Sequence, residues 1–465
     1  RLAALARVTP KPEEAAKVQA AVAALSESVE GLQQKLSRLD PDFHRAWAER
    51  TISSDDLRQL LPKDVALIDL LEYDHYIPAT EKGKNLTSEK RIVAFVLRGD
   101  LPVACVELGS SATIAQIVDA WRAGYGHLAS ADGEAPGPEL RRMVWEPLAA
   151  HLSDAETVLI SPDGALAQLP WSALPGERPG TYLIEERALA VIAIPQLLPE
   201  LLAEPARSGP PGSLLLAGDI EYGGDPGVPR EALAVRSASG RGNQQFDRLE
   251  AAQAELASIR DWYEQADAQG TVVALRRRNA TEGAFRDEVP NHRWLHLITH
   301  GFFAPAQLGG AAVHPGLLSG LAFAGANTAP IEGSDDGILT ALEVASLDLS
   351  KVDTIVLSAC ETGLGQAAGG EGLLGLQRAF QVAGARTVVA SLWKVPDRAT
   401  STLMQRFYEN LWDKKMGKLA ALREAQVFMI HDTGNRGLVV DKQPLDDGTL
   451  PPYYWAAFVL SGDWR

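Results

Sequence analysis

Two side chains have the types and the local setting of a nucleophile and its proton carrier. Cys360 sits in Leu357-Ser358-Ala359-Cys360-Glu361-Thr362-Gly363, just after the apolar run 354–358, and His300 sits in Thr299-His300-Gly301, just after the run 294–299. Short runs of this kind read as strands, so each residue is delivered to a strand end. If the two strands are neighbours, thiol and imidazole face each other across a few ångströms. The imidazole can then take the thiol proton, leaving a thiolate nucleophile, and later protonate a leaving group. Gly301 lets a backbone N–H approach closely, and with the N–H of Cys360 it forms a candidate oxyanion hole for a tetrahedral intermediate. This is the chemistry of a cysteine hydrolase.

Other reactive residues carry less. His296 and His300 are four apart, but Leu297-Ile298-Thr299 between them lacks the glutamate of a zinc helix. On a strand that spacing spans about 13 Å, too far for one metal ion. His296 lies on the same face as His300 but deeper, and reads as a core histidine or a support for the dyad. Glu371 lies in Gly369-Gly370-Glu371-Gly372, a glycine-rich turn without the Lys-Ser/Thr of a phosphate loop, so it is placed around the dyad and no nucleotide site is assigned. Cys105, in an apolar strand with no histidine pattern nearby, reads as a buried small hydrophobe. Two cysteines are too few for a disulfide framework and point to free thiols in a reducing cytosol, although a bond between the two stays open. No metal or cofactor is implied.

The elements that must position the pair follow from the patterning of the 465 residues, a length that implies two or three compact units. Residues 12–38 carry an apolar stripe at helical spacing, and a shorter helix is expected at 54–61. No period near 34 residues continues from them, so this lead, 1–63, is at most the tail of a repeat array. From 65 the text changes to strands at 65–71, 91–97 and 103–108, helices at 114–125 and 138–151, and a strand at 157–161. The Pro/Gly-rich stretch 205–212 is the best boundary, giving units 64–208 and 209–465. After it, strands at 213–217, 271–275, 294–299, 354–358, 387–392 and 456–460 alternate with helices at 249–264, 281–289, 340–345, 372–382, 398–411 and 418–430. Such alternation predicts an α/β fold with a mainly parallel sheet flanked by helices, binding ligands beyond the carboxyl ends of its strands.

Composition excludes some classes of function. With 46% hydrophobic and 22% charged residues the chain is an ordinary globular one, and it has no apolar run of about 18 residues that would suggest a membrane span. The formal charge of −16 works against direct nucleic-acid or anionic-lipid binding. The chain opens with Arg1, so it reads as part of something longer, and the lack of a signal peptide does not by itself exclude export.

From Asp64 to Arg465 the text resembles a CHAT domain, the caspase-like cysteine peptidase family usually fused to tetratricopeptide repeats. The resemblance rests on motifs in order. These are Ile160-Ser161-Pro162-Asp163-Gly164 with Leu169-Pro170-Trp171, the strings around His300 and Cys360, Gly370-Glu371-Gly372, Ser391-Leu392-Trp393-Lys394-Val395-Pro396-Asp397, and the tail 455–464. It implies that His300 and Cys360 form the catalytic dyad and that 64–208 is a pseudo-caspase half without a second dyad. Ser358 stands where caspases carry glutamine, so aspartate preference and activation by chain cleavage are not carried over. The family also implies that Ser391, Leu392, Trp393 and Lys394 form the strip that pairs with a substrate backbone, with Trp393 walling a pocket. Asp397, placed as in separases, implies an acidic pocket and cleavage after Arg or Lys. The competing reading is that it caps the helix beginning near 398. Asp335 and Asp336 are an alternative source of acidity, or a solvated turn. The expected function is a cytoplasmic endopeptidase acting on one specific protein, gated by a partner through amino-terminal repeats. The rival is a CHAT scaffold that has kept its shape and lost turnover.

Overall fold

The computed structural model describes residues 52–77, 87–99, 101–125, 136–203, 212–223, 246–303, 315–317, 319–328, 335–361, 371–393, 395–431 and 449–465. The helix expected at 12–38 lies outside them. Helix α1 (Ser54–Leu60) begins at Ser53, whose side chain accepts the Asp56 N–H. Strands β1 (Val65–Ile77), β2 (Thr87–Arg98) and β3 (Leu101–Ser110) form an antiparallel meander. Helix α2 (Ser111–Gly124) follows, then β4 (Thr157–Ser161) and β5 (Ala188–Val191), both added in parallel beyond β1.

The second segment alternates as its periodicity predicts. Its elements are β6 (Ser213–Ile220), α3 (Ala252–Ala266), β7 (Thr271–Arg277), α4 (Glu282–Glu288) and β8 (Trp294–Phe303). Then come β9 (Ser319–Ala322), β10 (Ile338–Thr340), β11 (Thr354–Glu361), α5 (Glu371–Val382), β12 (Thr387–Ser391), α6 (Asp397–Tyr408), α7 (Lys418–His431) and β13 (Phe458–Gly462). The sheet runs β7-β6-β8-β11-β12-β13-β5-β4-β1-β2-β3, and the antiparallel pair β9-β10 extends from the carboxyl end of β8. β7, β6, β8, β11 and β12 are mutually parallel, and β13 is antiparallel to β12.

Alternating side chains of the central strands serve two helical layers. Trp294, Ile298, Val356 and Val389 pack with the apolar faces of α3, α6 and α7, while Leu295, Leu297, Ile355, Leu357 and Val388 pack with Phe285 of α4 and Leu376 and Phe380 of α5. The expected boundary at 205–212 does not interrupt this construction. β13 pairs with β5, and one hydrophobic cluster holds Trp121 and Ile160 of the first segment together with Trp393 and Tyr454 of the second. The two segments share one sheet.

Several expectations are corrected. Cys105 is exposed, because β3 is the edge strand and Cys105 and Glu107 lie on its solvent side. β8 and β11 run past the ends expected for them, since β9 pairs with Gly301 to Phe303 and the β8–β11 register continues through Cys360 and Glu361. β13 starts later than expected because residues 452–455 form a helical turn. Strands β5, β9 and β10 have only three or four residues each, too few for alternation to register.

Candidate active site

β8 and β11 are adjacent and parallel at the centre of the second segment, and Cys360 is the register partner of His300, with Glu361 opposite Gly301. Neighbouring strands lie about 4.8 Å apart, so the two backbones bring these positions together at one edge of the sheet. The edge is also where the strand order reverses between β6 and β8, the usual location of a ligand crevice in such sheets. The Cys360 and Glu361 side chains lie outside the described ones, as does that of Glu371, the first residue of α5.

His300 is buried, at 7% exposure. Its ring lies against Tyr222, with centroids 5.2 Å apart, and Phe246, at 5.6 Å. Nε2 is 2.6 Å from the carbonyl oxygen of Asp247, which can only accept. Nε2 therefore carries the proton, and in a neutral ring the lone pair is on Nδ1. Thr299 Oγ1 donates to the Ala322 carbonyl and accepts from the Tyr222 hydroxyl at 3.1 Å. Burial pushes the Tyr222 phenol up to about 12, against the opposing hydrogen bonds with Thr299 and the His300 backbone, so it stays neutral and fixes the wall behind the imidazole. Tyr222, Phe246 and Asp247 did not stand out in the sequence. Tyr222 carries a usable signal, lying just past the end of β6 at the edge where ligands bind.

His296 belongs to the core. It is fully buried, with Nδ1 2.7 Å from the Tyr408 hydroxyl and Nε2 3.1 Å from Glu255 Oε1, so it ties β8 to α6 and α3.

The strip after β12 is more enclosed than expected. Ser391 pairs with Phe458 of β13, the Leu392 N–H donates to the Ala457 carbonyl at 2.9 Å, and Ser391 Oγ donates to the Trp393 carbonyl. Trp393 is buried, with Nε1 donating to the Tyr453 carbonyl at 3.0 Å and its ring 5.2 Å from Tyr125 and 6.1 Å from Trp121. It therefore fastens the end of α2 to the second segment, with the turn before β13 packed alongside. Trp393→Ala is expected to destabilise the chain by about 3–5 kcal/mol, the range for deleting a buried aromatic side chain, measured as a lowered urea midpoint. Lys394 lies outside the described residues.

Asp397 is exposed and is the first residue of α6. Pro396 occupies the cap position and no side chain caps the helix, so the capping role is not realised. Asp335 binds Arg286 at 2.8 Å and Asp336 accepts the Ile338 N–H at 3.0 Å, which commits both to the entry of β10.

A CHAT-domain family model matches residues 134–463. The chain belongs to the CHAT-domain family. The match starts inside the first segment and covers β4 through β13, including both His300 and Cys360. No curated protein sequence matches this CHAT chain. Among solved structures it is similar to the Saccharomyces cerevisiae separase–securin complex, at 8% identity and TM-score 0.47 over 93% of this chain and 33% of that one. It is also similar to the Arg-specific cysteine proteinase gingipain R, at 12% identity and TM-score 0.39 over 76% of this chain and 74% of that one. The Porphyromonas gingivalis complex of RgpB pro- and mature domains gives 12% identity and TM-score 0.39, over 76% of each chain. Among the described residues of the CHAT chain, no group of three or more His, Cys, Asp or Glu could hold a metal ion, and no helix is long and apolar enough to cross a membrane.

Proposed function

We propose that this CHAT chain is a cysteine endopeptidase in which His300 and Cys360 act as the dyad. The observation that carries this reading is their register pairing at the carboxyl ends of adjacent parallel strands. In the reaction, the Cys360 thiol gives its proton to the imidazole as sulfur attacks the scissile carbonyl carbon. The N–H groups of Gly301 and Cys360 are assigned to the oxyanion. The C–N bond then breaks, the imidazolium protonates the departing amine, and a thioester is left. Water attacks that thioester, its proton passing through His300 to the Cys360 sulfur as the acid product leaves. No cofactor takes part. The substrate is a protein, and the paucity of cysteine favours a reducing cytosol.

The finer reading is cleavage after a basic residue, supported by the exposed Asp397 carboxylate, which makes no capping bond. Asp397→Ala is expected to lose hydrolysis after Arg in a peptide-library profile by at least about tenfold, with unchanged thermal unfolding, as loss of a charge-assisted contact predicts. An unchanged profile would remove Asp397 from the pocket. The usual pairing of CHAT domains with tetratricopeptide repeats supports gating by a regulatory partner.

A second reading, a silent CHAT scaffold, is favoured by one feature. The His300 ring is buried between Tyr222 and Phe246 with Nε2 held by a backbone carbonyl. Labelling with a peptidyl electrophile separates the two. An adduct on Cys360, absent from Cys360→Ala, is the outcome for a peptidase, and no adduct under any partner or ion condition is the outcome for a scaffold.

A further inference from the structure

Beyond the dyad, the carboxyl ends of β6 and β7 carry a cluster of arginines on a chain whose net charge is −16. Asp219 is the organising residue. It is 1% exposed and lies where the β6–β7 register shifts between Gly218 and Ile220, and both Asp219 (φ 52°) and Arg277 (φ 53°) adopt the left-handed conformation. For residues other than glycine that backbone is costly and persists only where its surroundings hold it.

What holds it is the carboxylate. Asp219 accepts from Arg248 Nη2 at 2.5 Å and Arg276 Nη2 at 3.0 Å, with Arg277 Nε at 3.5 Å. Burial works to raise the Asp219 carboxyl, but the hydrogen bonds from Arg248 and Arg276 outweigh it and hold the group below the usual carboxylate range. Three consecutive arginines, Arg276, Arg277 and Arg278, would repel one another in water, and a buried anion beneath them fixes two of the three guanidinium groups in place.

Each guanidinium has five N–H donors, and Asp219 has only two oxygens to share among three of them. The remaining donors of Arg277 and Arg278 are turned to solvent, since these side chains are 64% and 83% exposed. With Arg276, Gln253 and Asn279 they line an open cavity of about 580 Å³, and among the described residues Glu221, paired with Arg278 at 2.9 Å, is the single acidic side chain of the lining. Glu250 adds a more distant negative charge near Arg248. The described lining is thus cationic with two amide side chains, and among the described residues it has no aromatic ring on which a base could stack.

We propose that this cavity binds an acidic peptide segment, carboxylate side chains of a protein substrate docking on Arg276, Arg277 and Arg278 outside the scissile site. Planar guanidinium groups match carboxylates in bidentate pairs, and a short acidic segment brings far less negative charge against the negative remainder of the chain than a long polyphosphate does. The site adjoins the proposed dyad along the chain, because Arg248 reaches Asp219 and the preceding residue, Asp247, bonds His300. The substrate role rests on the peptidase reading, but binding itself needs no turnover.

The experiment measures fluorescence anisotropy of a labelled peptide of alternating Glu and Gly on the Cys360→Ala protein, at low and at physiological salt. The expected result is saturable binding that weakens with salt, fails for the Gln-for-Glu peptide, and drops about tenfold or more in Arg277→Gln/Arg278→Gln. Both arginines are exposed, and an unchanged thermal midpoint verifies the fold of the double variant. The inference is overturned by absence of binding at low salt, by equal binding of the neutral peptide, by an unaffected double variant, or by an RNA oligonucleotide of equal charge binding as tightly. Acidic-peptide binding in a protein that cleaves nothing would sink the peptidase reading alone.

Discussion

Cys360→Ala and His300→Ala are each expected to reduce peptide hydrolysis by about 10⁴-fold or more, and the double variant to lose little beyond either single one. The reason is geometric. A thiol attacks well only as thiolate, and in the proposed reaction the imidazole opposite it in the ladder takes the proton and returns it to the amine. Once either partner is gone, the other has no step to perform, so their contributions do not add. Single-turnover and steady-state rates of the four proteins, with circular dichroism to verify folding, give the comparison. Additive losses, or a His300→Ala protein retaining near-normal kcat, would mean that the two residues do not cooperate.

Asp463→Ala is expected to destabilise the fold by about 3–5 kcal/mol at neutral pH, because it leaves buried cations without their counter-charge. Asp463 is fully buried near the carboxyl terminus, 2.6 Å from Arg386 Nη2, 2.8 Å from Arg465 Nε and 3.6 Å from Lys418 Nζ, and Lys418 also meets Asp353 at 3.3 Å. This network pins the end of the chain across β12 and the start of α7. Burial alone would raise the Asp463 carboxyl, but the Arg465 bond, the Lys418 charge and the Arg386 bond together lower it from 3.8. A carboxyl depressed in the folded state stabilises above its unfolded pKa and loses that contribution as pH falls through the folded value. Urea unfolding of wild type and variant should therefore show a gap that is full at neutral pH and narrows in acid. A gap independent of pH would assign the loss to packing.

How much of this was legible in the sequence depends on the length scale of the information. The strands 294–303 and 354–361 announced themselves because a buried parallel strand must be nearly all apolar, and the residues at their ends stood out against that background. Trp393 is ambiguous in the sequence for a physical reason. A large aromatic beside a conspicuous motif suits a pocket wall and a core anchor equally, and only the fold brings the Tyr453 carbonyl and the rings of Trp121 and Tyr125 against it. Cys105 misled, since alternation shows that a strand has two faces but not which one is covered when the strand lies at an edge. The Asp219 cluster was invisible because its members, at 219, 248 and 276–278, meet only in the fold, through the β6–β7 pairing and the segment that carries Arg248 to it.

The α/β alternation, the central parallel strands, and the delivery of a histidine and a cysteine to the same edge follow from local periodicity and from where apolar runs stop. The tertiary structure alone decided that both segments share one sheet, that His300 is walled by Tyr222 and Phe246, and that scattered arginines converge on one buried carboxylate. Those outcomes depend on strand order and on contacts between residues distant along the chain, to which a local pattern of side chains carries no reference.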